Sequence, residues 1–561
     1  MSLLQVKNLS VAFKQEGGSA RVVKDISFNL HAGKFTAIVG ESGSGKSVTA
    51  LSLLQLLPAT AQLSGSLLFS PAENESTDLI TTSFDNIRKI RGNNIAMIFQ
   101  EPMTSLNPVF TCGSQVMESL VLHKKFSKKE ARLKTIKLFE QVELPQPASM
   151  FNRYPHQISG GQKQRVMIAM AMSCSPILLI ADEPTTALDV RVQKNILELL
   201  RKLQVQQQLS VLFITHDLGL VAAFADEVLV MHKGVIVEQG TTHAVLKNPQ
   251  HNYTRALLAC KPHKQSKGTR LPVVADYLSK DAIEDIAIAP VPVPTKGSAV
   301  SDMPVLQVEN LKVYFTAEKN LLGKPISFYK AVDDVSFTVH EGETVGLVGE
   351  SGCGKTTLGR SILQLVKPTA GKILLHGKEI QHLAAGNMRS LRKDLQIVFQ
   401  DPYGSLNPRL TIGQAILEPL MVHKMHPNKK VGKEKVMELL QHVNMGTDSY
   451  NRYPHQFSGG QRQRICIARA LGLEPSFLIF DESVSALDVS VQAQVLNLIN
   501  DLKQQYQFTS IFISHDLSVV HYISDRILVM NKGKIVEEGL AGQIMDNPQQ
   551  DYTRALIEAI P

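Results

Sequence analysis

The sequence predicts an α/β fold built twice within one chain of 561 residues. Gly40-Glu41-Ser42-Gly43-Ser44-Gly45-Lys46-Ser47 fits the phosphate-loop pattern G-x-x-x-x-G-K-[ST], and Gly349-Glu350-Ser351-Gly352-Cys353-Gly354-Lys355-Thr356 fits it again. Later motifs recur at a fixed offset of 299 (481 − 182): Asp182 with Asp481, His216 with His515, Asn248-Pro249 with Asn547-Pro548. Short apolar runs without alternation precede these motifs, as in strands buried on both faces of a mainly parallel sheet. An offset held through separated motifs means a duplicated domain.

The elements follow in order. Phe35–Val39 and Thr344–Val348 are strands that lead into the phosphate loops, and the helices after them are stopped by Pro58 and Pro368. Ile177–Ala181 and Phe477–Phe480 are strands that end in Asp-Glu pairs, and Leu212–Ile214 and Ile511–Ile513 are strands that end at the histidines. The longest apolar stretch, Val166–Ala181, is broken by Ser173, Ser175 and Pro176. It reads as a helix end, a turn and a buried strand, too short for a membrane span of about 20 residues. The halves are placed at 1–260 and 304–561, with 261–303 as a linker in which Pro290, Pro292 and Pro294 favour an extended spacer. The basic run Lys261–Lys267 reads as solvated. The first half carries extra residues around Pro71–Thr82, read as a polar surface loop.

Composition narrows the class. Hydrophobic residues make up 43% and charged residues 20%, ordinary for a globular chain. The net charge of +8 suits anionic nucleotides or an anionic membrane surface, but is a weak signal. Cys112, Cys174, Cys260, Cys353 and Cys466 form no C-x-x-C pair, which argues against a zinc ribbon or an iron–sulfur cluster. Met1–Val6 has no basic region before an apolar core, so no secretory signal is expected.

Each motif has a chemical reading. Glycines let successive backbone N–H groups of the loop face phosphate oxygens. Lys46 and Lys355 add charge for the β- and γ-phosphates of ATP, and Ser47 and Thr356 offer a hydroxyl to Mg²⁺. A chance glycine-rich turn would need neither the strand before it nor a second copy. Asp182 and Asp481 suit Mg²⁺, while the adjacent Glu183 and Glu482 suit polarising an attacking water. His216 and His515 lie beyond the next strand and suit a γ-phosphate contact. Ser159-Gly160-Gly161-Gln162 and Ser458-Gly459-Gly460-Gln461 open basic helices and form a second anion-binding device. One phosphate loop needs no second anion site in its own half. The pattern therefore suggests that the halves close on each other, each signature covering the other's nucleotide.

This set, with Gln100 and Gln400 and with Ala187-Leu188-Asp189 and Ala486-Leu487-Asp488, resembles the ATP-binding-cassette (ABC) ATPases over nearly all of both halves. The resemblance implies two tandem P-loop cassette domains, each with a RecA-like core, an α-helical signature subdomain and a β subdomain. It further implies that Gln100 and Gln400 contact Mg²⁺ and the attacking water, and that Phe13 and Phe315 stand where an aromatic ring stacks on adenine; a core role for both phenylalanines stays open. Within the family the chain is similar to ATPase subunits of oligopeptide and dipeptide importers. The carriers are Gln100–Pro108, Gln400–Pro408, Asn152–Gln157, Asn451–Gln456 and the terminal Tyr-Thr-Arg-Ala-Leu segments.

The fused arrangement resembles the Yej-type importer of microcin C and peptides, with the fused glutathione importers as the nearest rival. That implies a peripheral subunit at the cytoplasmic face of the inner membrane. It would hydrolyse ATP for two integral permease subunits served by a solute-binding protein, with no nucleic-acid partner. A soluble tandem cassette outside transport is the other alternative. Against it stand the proline-punctuated linker, where ribosome-acting relatives have a long charged helix, and the absence of the zinc-binding cysteine pairs of DNA-repair cassettes.

Overall fold

The computed structural model describes residues 2–15, 18–72, 75–100, 105–185, 190–278, 303–319 and 325–560. The expected segments 101–104 and 187–189 and most of the linker lie outside these residues. The chain forms two compact units. One holds the described residues through Leu258 together with Val274–Leu278; the other holds Ala259–Val273 and the described residues from Met303 to Ile560.

The first unit opens with β1 (Ser2–Gln15), β2 (Gly18–His31) and β3 (Phe35–Val39), followed by β4 (Ala61–Ala72), β5 (Glu75–Asp78) and β6 (Ile95–Ile98). Then come β7 (Leu178–Asp182), β8 (Ser210–Thr215), β9 (Glu227–His232) and β10 (Val235–Thr241). A four-stranded antiparallel sheet runs β2-β1-β4-β5, and a six-stranded sheet runs β10-β9-β3-β8-β7-β6. The larger sheet is parallel except for β10. Every residue of β3, β7 and β8 is buried, as unalternated apolar runs require. Helix α1 (Lys46–Leu53) follows the first phosphate loop. Helices α2 (Cys112–Lys124), α3 (Lys128–Gln141) and α4 (Gly160–Met172) pack on one another as a helical layer, and α5 (Asn252–Ala259) closes the repeat.

The second unit repeats the plan. Strands β11 (Pro304–Lys319), β12 (Pro325–His340), β13 (Thr344–Val348), β14 (Ala370–Leu375) and β15 (Lys378–Glu379) come first. They are followed by β16 (Leu395–Val398), β17 (Phe477–Asp481), β18 (Thr509–Ser514), β19 (Arg526–Asn531) and β20 (Lys534–Leu540). The sheets run β12-β11-β14-β15 and β16-β17-β18-β13-β19-β20, the same order as in the first unit. Its helices include α6 (Lys355–Ile362), α7 (Ile412–Val422), α8 (Lys429–His442), α9 (Gly459–Leu471), α10 (Val489–Tyr506), α11 (Leu517–Ile523) and α12 (Asp551–Glu558).

Three expectations change. The extra residues near Pro71–Thr82 are not all surface loop: β5 pairs with β4, and Leu79 is fully buried. The Asp78 carboxylate organises this turn, accepting from Ser66 Oγ at 2.9 Å, Leu67 N at 3.1 Å and Ile80 N at 3.0 Å. The expected linker also begins with residues that belong to the second unit. Asn497 on α10 brackets Leu271, accepting its N–H at 3.0 Å and donating to its carbonyl at 2.8 Å. Tyr522 donates to the Thr269 carbonyl at 3.0 Å, and Arg270 pairs with Asp501 at 2.9 Å. The basic run is only partly solvated, because Lys264 pairs with Asp546 and Lys267 donates to the Ser524 carbonyl at 2.7 Å. Burial holds the Lys267 ammonium below its usual range.

At the positions 299 residues earlier stand Glu198, Lys202, Ala223 and Lys247, which offer none of this chemistry. Asn497→Ala strands two backbone groups of Leu271, at about 1–3 kcal/mol for each buried group left unpaired. Limited trypsin digestion should therefore cut faster at Lys267 and Arg270 in Asn497→Ala, and at the wild-type rate in Glu198→Ala.

Candidate functional site

The site groups lie at the carboxyl edge of the parallel strands, where α/β sheets bind ligands. In the first unit β3 delivers the phosphate loop, β6 is followed by Gln100, β7 ends in Asp182 and Glu183, and β8 leads to His216. In the second unit β13, β16, β17 and β18 deliver the matching loop, Gln400, Asp481 with Glu482, and His515.

Glycine is required where the loop leaves the sheet. A Cβ on Gly40 would stand 2.1 Å from the Met231 carbonyl oxygen, and one on Gly349 would stand 2.2 Å from that of Met530. Lys46 and Lys355 are buried beneath their loops. Lys46 Nζ donates to the carbonyls of Gly40 at 2.8 Å and Glu41 at 2.9 Å; Lys355 Nζ donates to those of Gly349 at 2.7 Å and Glu350 at 2.9 Å.

A hydroxyl–carboxylate bond joins the loop helix to the acidic strand in both units. Ser47 Oγ donates to Asp182 at 3.0 Å, and Thr356 Oγ1 donates to Asp481 at 3.0 Å. Burial pushes the Asp182 carboxyl up to about 6, against the Ser47 bond and the Lys46 charge and with the help of Glu183. Burial raises Asp481 in the same way. Buried carboxylates beside a hydroxyl are hard oxygen donors whose charge a divalent cation would offset, so the residues fit Mg²⁺. Among the described residues no group of three or more His, Cys, Asp and Glu side chains is arranged to hold a metal by itself.

Glu183 and Glu482 sit one residue beyond the strands with φ of +44° and +47°, in the left-handed region that side chains seldom adopt. Their N–H groups donate to the carbonyls of Ile214 and Ile513, both at 3.0 Å, which holds that backbone in place. Strain of this kind clusters at functional positions. Gln100 donates its amide to Glu183 at 2.9 Å, and Gln400 donates to Glu482 at 3.0 Å. His216 lies 3.4 Å from Glu183 and His515 lies 3.5 Å from Glu482. Lys355 approaches Glu482 to 3.9 Å. Burial raises the Glu482 carboxyl, but His515 and Lys355 outweigh it and keep the group below its ordinary range, hence ionised near neutral pH. Lysine, acids, glutamine and histidine thus converge twice, as a charged phosphate cradle beside a carboxylate able to accept a proton from water.

The signature segments are separate features on the helical layers. Ser159 caps α4 and Ser458 caps α9, each in a reciprocal capping box with Gln162 or Gln461. Gln162 and Gln461 therefore spend their side-chain oxygens on the Ser159 and Ser458 N–H groups, both at 3.0 Å. The N–H groups of Gly160, Gly161, Gly459 and Gly460 are the helix-terminal donors that lie between. Phe13 is partly buried against the core of the first unit, whereas Phe315 is 43% exposed and pairs with Tyr329 across β11 and β12.

Sequence reasoning missed three tyrosines. Tyr329 donates to the Gly352 carbonyl at 2.9 Å, while Tyr253 and Tyr552 accept from the N–H groups of Glu41 and Glu350 at 3.0 and 3.1 Å. The 299-residue offset between Tyr253 and Tyr552 is the signal that marks the last two.

Comparison with known proteins finds relatives over the whole chain. The ABC transporter family model matches residues 23–186 and 332–485. The model for the oligopeptide/dipeptide transporter C-terminal region matches 237–279 and 536–561. The glutathione import ATP-binding proteins GsiA of Shigella boydii and Escherichia coli K12 are 48% identical over 563 aligned residues, covering 100% of this chain and 90% of theirs. A solved dimeric bacterial ABC transporter cassette is 26% identical, with 42% of this chain and 98% of that chain covered and a TM-score of 0.38.

The raised Asp182 carboxyl has a measurable consequence. Its folded value of about 6 exceeds the ordinary 3.8, so its contribution to stability is complete below 3.8 and is lost as pH rises through about 6. A shift of that size is worth at most about 3 kcal/mol. In EDTA at pH 8, Asp182→Asn should melt at a higher temperature than wild type, and the gain should shrink toward pH 5. Mg²⁺ with ATP should stabilise the wild type more than the variant.

Proposed function

This chain belongs to the ABC transporter family as an ATP-binding protein with two tandem cassettes, and we propose that it powers the import of short peptides or peptide-like solutes. It is an ATP hydrolase. The observation that carries the import reading is the oligopeptide/dipeptide transporter C-terminal region, which follows both cassettes. No helix among the described residues is long and apolar enough to cross a membrane. By likeness to import ATP-binding proteins, separate permease subunits and a solute-binding protein would complete the machine, with this chain peripheral at the cytoplasmic face.

In the proposed cycle Lys46 and Lys355 leave the loop carbonyls for the β- and γ-phosphates. Ser47, Thr356, Gln100 and Gln400 would hold Mg²⁺, with Asp182 and Asp481 directly or through water. The cation would offset phosphate charge. Glu183 and Glu482 accept a proton from the attacking water, positioned by the glutamine amides, and His216 and His515 sit where the γ-phosphate would be met. Phe13 and Phe315 are proposed adenine contacts.

A groove of ≈ 370 Å³ beside Gln400 supports docking of a permease helix; it is lined by Ile397, Phe399, Ala415, Pro419 and Val422 among others. In the first unit Phe99, Val109, Phe110 and Leu122, on either side of the post-glutamine loop in sequence, are exposed. The signature segments would complete the opposite nucleotide sites, Ser458–Gln461 with Lys46 and Ser159–Gln162 with Lys355, since a helix N-terminus can receive a phosphate. All five native cysteines are buried, so introduced pairs report cleanly. Ser42→Cys with Ser458→Cys, and Ser351→Cys with Ser159→Cys, should crosslink only when ATP is trapped. Crosslinking that ignores nucleotide would refute the pairing.

Two cargo readings share this chemistry. Glutathione is supported by the 48% identical relatives, which are glutathione import ATP-binding proteins, and a microcin C-type peptide by the resemblance of the fused arrangement. A deletion strain should lose uptake of labelled glutathione or of labelled di- and tripeptides, and whichever is lost identifies the cargo. Lys46→Ala with Lys355→Ala should not restore uptake. Unchanged uptake of all of them would overturn the importer reading and leave the ATPase.

A further inference from the structure

Each phosphate loop begins with a peptide group that is gripped at both ends. The Gly40 carbonyl accepts from Lys46 Nζ at 2.8 Å, and the N–H of the same peptide, on Glu41, donates to Tyr253 Oη at 3.0 Å. In the second unit the Gly349 carbonyl accepts from Lys355 Nζ at 2.7 Å, and the Glu350 N–H donates to Tyr552 Oη at 3.1 Å. Neither tyrosine belongs to the sheet edge that supplies the other site groups. Each lies in the helix that closes its repeat, α5 or α12.

A second carboxylate sets the register of those helices. Glu238 on β10 accepts from Gln250 N at 2.8 Å and His251 N at 3.2 Å, just before α5. Glu537 on β20 accepts from Gln549 N at 2.7 Å and Gln550 N at 3.1 Å, just before α12. The aromatic surroundings are not repeated. Tyr253 lies against His232, with ring centroids 4.0 Å apart, but the matching position in the second unit is Asn531. The two copies share the hydroxyl's place, not the packing of the ring.

We propose that Tyr253 and Tyr552 are positioning residues that hold the first peptide of each phosphate loop in its nucleotide-receiving orientation, which makes the segment after each cassette a working part of the ATP site. The proposal rests on the two loops being the ATP sites. When Lys46 swings to the phosphates it gives up the Gly40 and Glu41 carbonyls, and the tyrosine hydroxyl still fixes that peptide plane. A peptide that turned there would misdirect the N–H groups that follow it in the loop.

The test uses the full chain with Tyr253→Phe, Tyr552→Phe, the double variant, and Lys46→Ala with Lys355→Ala as a reference. Phenylalanine keeps the ring and removes only the hydroxyl. Equilibrium binding of a fluorescent ATP analogue should be roughly three- to tenfold weaker in the double variant, the worth of one hydrogen bond per site. Each single variant should split binding into a wild-type class and a weakened class. KM for ATP should rise in step while kcat stays within about twofold, and melting temperatures should match wild type within a few degrees. Wild-type affinity in the double variant, with binding lost in the lysine variant, would overturn the proposal and leave the ATP sites intact. Equal binding in wild type and the lysine variant would instead overturn the assignment of the sites. A fall in melting temperature together with a fall in kcat at unchanged KM would make the tyrosines structural only and also overturn the proposal.

Discussion

The structure depends on one bond made twice, from the hydroxyl that opens the phosphate-loop helix to the carboxylate that ends the acidic strand. Ser47 to Asp182 and Thr356 to Asp481, both at 3.0 Å, join β3 to β7 and β13 to β17 across one intervening strand. The bond places a carboxylate where burial disfavours its charge, and Asp182 rises to about 6 as a result. A folded chain keeps such a group when something that binds there offsets the cost. Fully buried strands supply the rigidity, because β3, β7 and β8 are packed on both faces.

Around that bond the two units are alike to within a few tenths of an ångström in their lysine, glutamine and glutamate contacts. They diverge away from it. Among the described residues, only the second unit carries the Asn497 bracket for Leu271 and the Tyr522 contact to Thr269. At the sheet edge the first has the four residues of β5, where the second has the two residues of β15. Duplication has preserved the chemistry at the strand ends and left the peripheral packing to change.

Much of this was legible in the sequence because the physics is local. A charged pair directly after four buried apolar residues marks a strand end, so Asp182-Glu183 and Asp481-Glu482 announced their places. The phosphate loops and the capping serines Ser159 and Ser458 were legible for the same reason. What depends on distant parts of the chain was not. The left-handed backbone of Glu183 and Glu482 is held by carbonyls on a neighbouring strand, and no pattern around either glutamate encodes it. Tyr253 is separated from Glu41 by 212 residues, and Leu271 from Asn497 by 226. The basic run before Leu271 looked solvated because its partners, Ser524 and Asp546, lie at the far end of the chain.

The central claim is that one polypeptide holds two complete and equivalent ATP sites. The most direct measurement is the number of ATP molecules held per chain at saturation with Mg²⁺ in the Glu183→Gln, Glu482→Gln double variant, which should bind nucleotide without consuming it. The account predicts two per chain, falling to one when either Lys46 or Lys355 is replaced by alanine. One per chain in the double variant, or no change when either lysine is removed, would contradict it.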